Sequence, residues 1–156
     1  HRCPAHTVGE AVLARFPMVE GTAFCSTPDA LAGFQVETPR GRLWLVSVHL
    51  RWPYPHDQAG QVDAVLAQLQ RLDGPVLMAG DFNAVAWSHT LSRMAQAAGV
   101  SRIGPHLHSY TGLPVPMHLG IDHVLVTGGQ GRVTAQPAFA SDHLGLAAGI
   151  KVWPDE

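Results

Sequence analysis

Gly80-Asp81-Phe82-Asn83 follows a short apolar run, Pro75 to Ala79, that reads as a buried strand. Asp81 and Asn83 lie two residues apart, so on an extended chain they point to the same side. There, at the end of a core strand, they can meet one small charged group. A turn is the bland alternative, since Gly, Asp and Asn are common turn residues. More polar residues stand at strand boundaries: His49 after Leu43 to Val48, Asp122 at the start of Ile121 to Thr127, and Asp142-His143 before a last strand. Only 14% of the chain is charged, which makes unrelated surface positions the weaker explanation. Carboxylates of this kind bind Mg²⁺ or Mn²⁺, hard cations that take oxygen ligands. A His supported by a carboxylate exchanges protons or donates to a developing anion. Together these parts suit the hydrolysis of phosphate esters.

The surrounding elements must bring these residues to one place. Glu10 to Phe16 reads as a strand ended by Pro17, and 19–29 as loop or edge strand. Phe34 to Glu37 and Leu43 to Leu50 form a hairpin about Thr38-Pro39-Arg40-Gly41. The second strand is apolar on both sides and therefore central; one side continues as Ser47 and His49. After the loop Arg51-Trp52-Pro53-Tyr54-Pro55, Val62, Val65, Leu66, Leu69 and Leu72 mark a helix capped by Asp57 and stopped at Gly74-Pro75. Strand, helix, strand is a crossover between parallel strands, hence an α/β layer. A second helix starts at Ser88 and stops at Gly99. The stretch 101–120 reads as a long loop with one short strand at Ser109-Tyr110-Thr111. Strands are expected at Ile121 to Thr127, Arg132 to Ala140 and Leu144 to Val152.

Bulk properties bound the function. The 156 residues suggest one domain, and 46% hydrophobic content is ample for a core. A formal charge of −2 offers no basic field for nucleic acid, so any such contact must be local. The ten histidines show no paired zinc-ligand spacing. Cys3 and Cys25 are too few for a disulfide framework, and whether they pair is left open. No apolar run is long enough for a transmembrane helix and no signal peptide is visible. A soluble domain is expected, with the cytoplasm favoured. The first residue is His1 rather than Met, as in a cut or processed piece.

Val48-His49-Leu50, Gly80-Asp81-Phe82-Asn83, Ile121-Asp122-His123-Val124 and Ser141-Asp142-His143, in this order, resemble the endonuclease/exonuclease/phosphatase superfamily, whose members include DNase I and the exonuclease III type of nuclease. The likeness runs from about Glu10 to the C-terminus. It implies an α/β (α+β), DNase I-like sandwich of two sheets with outer helices, and a metal-dependent phosphodiesterase, nuclease or phosphatase. By the same resemblance Asp81 orients or deprotonates the attacking water and Asn83 holds a phosphate oxygen. His49 donates to the phosphate, His143 is the central catalytic His held by Asp122, and Asp142 is a metal-side carboxylate for Mg²⁺ or Mn²⁺. His123 receives no role.

The family also carries an Asn and a metal-binding Glu in an N-terminal portion that this sequence does not contain. Neither Glu10 nor Glu20 sits in a matching context. The expectation is therefore one domain over 1–156, the C-terminal part of such a fold, incomplete at the N-terminus and prone to self-association through exposed sheet surface. The alternative function is a binding or scaffold domain that keeps the fold without the chemistry. Arg51 and Trp52 are candidate substrate contacts. Nucleic acid, a lipid head group and a small phosphate ester all remain as substrates. Geometrically, His49, Asp81, Asn83, Asp122, Asp142 and His143 should converge, with an Asp122–His143 hydrogen bond that raises the His143 pKa.

Overall fold

The computed structural model describes residues 1–3, 9–113 and 117–153. Among the described residues, eight strands and two helices follow in chain order: β1 (Phe24–Cys25), β2 (Leu31–Thr38), β3 (Gly41–His49), α1 (Gln58–Leu69), β4 (Val76–Asp81), α2 (His89–Ala98), β5 (Ser101–Arg102), β6 (Asp122–Val126), β7 (Gln130–Gln136) and β8 (Gly145–Lys151). The larger sheet has the order β1-β2-β3-β4-β6-β5, and β7 and β8 form a second, two-stranded sheet. β3 and β4 run parallel and the other pairs antiparallel, as the α1 crossover requires.

Side-chain alternation divides the larger sheet into two faces. Trp44, Val46 and Val48 of β3 and Val76 and Met78 of β4 pack beneath α1 and α2, against Val62, Val65, Leu69, Leu91 and Met94. Each such side chain, taken fully from water, contributes roughly 1.5–3 kcal/mol. The opposite face carries Phe34, Val36 and Leu43 in one cluster. Val124 and Val126 meet Val133 of β7 in another, with Leu146 and Ile150 of β8 packed against them. Asp57 caps α1 by accepting from the Gly60 amide, and Ser88 caps α2 by accepting from Leu91. Gly99 closes α2 in the left-handed conformation.

Several expected elements differ. Glu10 to Phe16 is not a strand: Ala11 forms an isolated bridge with Arg2, and Leu13 is 92% exposed. Apolar alternation alone cannot make a strand without a neighbouring edge that offers it a ladder. The strand expected at Arg132 to Ala140 is shifted to Gln130–Gln136. Pro137 follows it, and Phe139 and Ala140 have φ of 47° and 69°, which no strand accommodates. Within the expected long loop, β5 pairs with β6, while Tyr110 makes isolated bridges to Leu119 and His143 instead of a strand. Cys3 and Cys25 are joined by a disulfide.

Candidate active site

His49, Asp81 and Asp122 form a row across three strands. His49 is the register partner of Asp81, and Asp81 is that of Asp122. Their face is the one that carries Leu43, Leu45, Leu77, Val124 and Val126, so hydrocarbon gives way to His, Asp and Asp where these strands meet the sheet's edge. β4 can lie so close to β3 only because of Gly80. Its φ is +144°, and a Cβ there would stand 2.0 Å from the Val48 carbonyl oxygen. The chain then turns at Asn83, with φ of 43°, a conformation that Asn tolerates better than most residues. The Asn83 amide donates to Asp81 Oδ1 at 2.8 Å and closes the turn.

Helix α1 fixes the loops around this row. Gln58 is buried, and its Nε2 donates to the carbonyl oxygens of Arg51 (2.6 Å), Phe82 (3.2 Å) and Asn83 (3.1 Å). Gln61 accepts from the Arg51 amide at 2.8 Å and donates to the Asp29 carbonyl. On the other side, His123 Nε2 lies 2.8 Å from the Ala84 carbonyl oxygen. Burial holds the His123 pKa below its ordinary value, so the ring is neutral and donates.

His143 arrives from the loop before β8. That loop is pinned by backbone bonds from Thr111 to Asp142 and from Leu144 to Ser109, both 2.8 Å. Nδ1 of His143 stands 2.8 Å from Asp122 Oδ2, and the same oxygen accepts from the Ser109 hydroxyl at 2.5 Å. Nε2 of His143 lies 3.9 Å from Asp81 Oδ2, and Nε2 of His49 lies 3.8 Å from that same oxygen. One carboxylate thus sits between two imidazoles.

The electrostatics follow from this arrangement. Burial is the largest influence on Asp81 and raises its pKa; the Asp122 charge adds to the rise, against the Asn83 amide and the two imidazoles. Burial by itself lowers the His143 pKa, but the hydrogen bond and charge of Asp122, with Asp81 and Asp142, outweigh it and raise the pKa overall.

All eight residues singled out from sequence, His49, Arg51, Trp52, Asp81, Asn83, Asp122, Asp142 and His143, line a single cleft of about 880 Å³. Asn83 meets it differently from expectation. Its Nδ2 donates to the Leu50 carbonyl at 2.7 Å and to Asp81 Oδ2 at 3.1 Å. The atom left over is the acceptor Oδ1, buried without a partner, and an acceptor does not suit a phosphate oxygen. The sequence reading missed four residues of this region. Ser109 orients Asp122, Gln58 ties the loops, Glu10 lines the cleft, and Tyr110 meets His143 in a tilted ring contact with centroids 4.9 Å apart. Trp52 in turn meets Tyr110 at 5.6 Å. For Ser109 and Tyr110 the only signal was their place in a loop of unusual length.

A family model described as "Endonuclease/Exonuclease/phosphatase family" matches residues 8–143. No curated protein sequence matches the chain significantly. Among solved structures, an endonuclease/exonuclease/phosphatase from Beutenbergia cavernae superimposes with a TM-score of 0.61 at 22% identity, over 85% of this chain and 45% of that one. Beta toxin from Staphylococcus aureus with bound magnesium ions gives 0.56 at 13%, over 88% and 66%. Danio rerio TDP2 in complex with a single-strand DNA product gives 0.57 at 19%, over 85% and 67%. The chain spans about half the length of several of the structures it matches. These likenesses identify the fold, a DNase I-like α/β architecture.

Proposed function

The chain belongs to the endonuclease/exonuclease/phosphatase family, and we propose that it hydrolyses phosphate esters in a divalent-metal-dependent reaction at the Asp81–Asp122–His143 cleft. The observation that carries this reading is the 2.8 Å contact between Asp122 and His143, with the far nitrogen of the imidazole turned toward Asp81. Asp122 accepts the Nδ1 hydrogen, which orients the ring and supports its positive charge. His143, charged at Nε2, then faces the position where negative charge develops on phosphorus-bound oxygens. His49 donates from the other side of Asp81.

Asp81 takes the proton of the attacking water. Burial raises its pKa, which makes it a stronger base than an ordinary Asp. Water oxygen bonds to phosphorus, the ester P–O bond breaks, and the leaving oxygen ends protonated from solvent. Asn83 holds Asp81 in place through its backbone amide and Nδ2. The oxygen donors present, the Asp142 carboxylate and the unpartnered Oδ1 of Asn83, fit a hard cation of the Mg²⁺ or Mn²⁺ type. Such an ion, when bound, supplies charge neutralisation at the phosphoryl oxygens. Arg51 and the Trp52–Tyr110 pair stand where the flanking part of a substrate would lie. The Cys3–Cys25 bridge argues for an oxidising compartment over the cytoplasm expected from the sequence. Among the described residues, no helix is long and apolar enough to cross a membrane.

The test is a substrate panel with and without Mg²⁺: a single-stranded oligonucleotide, a choline phospholipid and a small phosphate monoester. Metal-dependent turnover of at least one is expected. A protein that cleaves none of them, whatever the metal, is a binding or scaffold domain instead.

A further inference from the structure

Among the described residues, two buried side-chain polar atoms have no hydrogen-bond partner: Oε2 of Glu10 and Oδ1 of Asn83. Both atoms are acceptors, and both residues line the same cleft. Glu10 is only 4% exposed and Asn83 only 5%. A carboxylate withdrawn from water without a counter-charge is among the costliest things a fold can contain, and no ion pair to Glu10 exists among the described residues. An acceptor orphaned in this way requires a donor or a cation, and a second one in the same cleft requires the same kind of occupant.

Glu10 is not placed there by a loose strand. Its carbonyl oxygen accepts from the Cys3 amide at 3.0 Å, and the Val12 amide donates to the His1 carbonyl at 2.8 Å. Cys3 is buried and bonded through its disulfide to Cys25 on β1, the edge strand of the larger sheet. The carboxylate is therefore held by a cross-linked backbone pairing, the preorganisation a ligand site needs. Glu10 Oε2, Asn83 Oδ1 and the Asp142 carboxylate are all oxygen donors of residues that line this cleft, a ligand type that suits Mg²⁺ and Mn²⁺ better than zinc.

We propose that Glu10 is a metal ligand of this cleft, supplying through Oε2 the second acidic oxygen that the divalent cation needs beside Asp142. The inference rests on the metal-dependent reading above and assigns a residue that its sequence context gave no reason to choose. The test is titration of the protein with Mn²⁺, followed by the loss of the free-ion electron paramagnetic resonance signal, for wild type, Glu10→Gln and Glu20→Gln. Gln keeps the shape of Glu10 and removes its charge; Glu20 is exposed and outside the cleft. Glu10→Gln is expected to weaken Mn²⁺ binding by at least about tenfold, and Glu20→Gln to leave it unchanged. Thermal unfolding gives a second reading: without metal Glu10→Gln melts higher than wild type, and its rise in melting temperature on adding Mg²⁺ shrinks. Unaltered Mn²⁺ binding in Glu10→Gln, or a wild type that binds no Mn²⁺ at millimolar concentration, overturns the proposal. Metal binding that depends on Glu10 in a protein whose phosphoester hydrolysis survives loss of His143 sinks the functional reading and leaves this one standing. Inactive His143 variants with metal binding indifferent to Glu10 do the reverse.

Discussion

Oδ2 of Asp122 is shared by two donors, Nδ1 of His143 at 2.8 Å and the hydroxyl of Ser109 at 2.5 Å. Ser109 is fully buried, so the carboxylate cannot swing away from the imidazole without stranding a hydroxyl. A shared acceptor of this kind fixes ring orientation more firmly than one bond would, because either bond alone leaves the carboxylate free to rotate.

Ser109→Ala removes one of the two bonds. The expected loss is about 1 kcal/mol of positioning, seen as a fall of roughly fivefold to tenfold in kcat with KM little changed. Asp122→Asn is expected to cost far more, on the order of 10³-fold or greater, by analogy with other Asp–His pairs in which the amide favours the wrong tautomer. Steady-state kinetics on the two variants give the comparison, and a Ser109→Ala protein as impaired as Asp122→Asn would contradict the secondary role assigned to Ser109.

The pKa directions give a sign to the pH dependence. The folded-state pKa of His143 lies above its ordinary 6.5. The folded protein therefore binds this proton more tightly than the unfolded chain does. The resulting stability is complete below about pH 6.5 and is lost as pH rises through the folded-state value. In the rate, an acid limb lies above the ordinary Asp value of 3.8, because Asp81 is raised, and an alkaline limb lies above 6.5. Proton NMR titration of the His143 ring should show its midpoint falling in Asp122→Asn; a midpoint that stays or rises would refute the assigned cause.

Gly80 and Gly74 separate two costs of replacing a glycine. Both have positive φ, +144° and +88°, but a Cβ at Gly74 meets nothing within 4 Å, whereas at Gly80 it meets the Val48 carbonyl oxygen at 2.0 Å. Gly74→Ala carries backbone strain alone, roughly 1–2 kcal/mol. Gly80→Ala adds a clash between β3 and β4 and should cost about 4 kcal/mol or more. Urea denaturation measures both, and similar midpoints would mean that β4 can withdraw from β3 without harm.

The row of His49, Asp81 and Asp122 was legible because two simple rules meet there. Period-two alternation put His49 on the face of Leu43 and Leu45, and the α1 crossover fixed β3 and β4 as parallel neighbours. His143 was legible as a polar residue before the last strand, but its role came only from the family resemblance of its motif, since the loop that carries it is positioned by bonds to Ser109 and Thr111. Gln58 carried no signal in sequence, because its three carbonyl partners lie 7, 24 and 25 residues away. Glu10 was set aside on context, and its burial and missing partner exist only in three dimensions. Pairing partners of the segment 10–16 are equally tertiary, which is why its strand-like pattern misled.

The most direct measurement of the central claim is Mg²⁺-dependent phosphoester hydrolysis by wild type and by His143→Ala, each shown by circular dichroism to be folded. His143 meets Asp122 through Nδ1 at 2.8 Å and turns Nε2 toward Asp81 at 3.9 Å. The account predicts a fall in kcat of at least about 10³-fold, the scale set by removing a principal charge stabiliser from an active site. A folded His143→Ala protein that turns over the same substrate at near wild-type rate would contradict it.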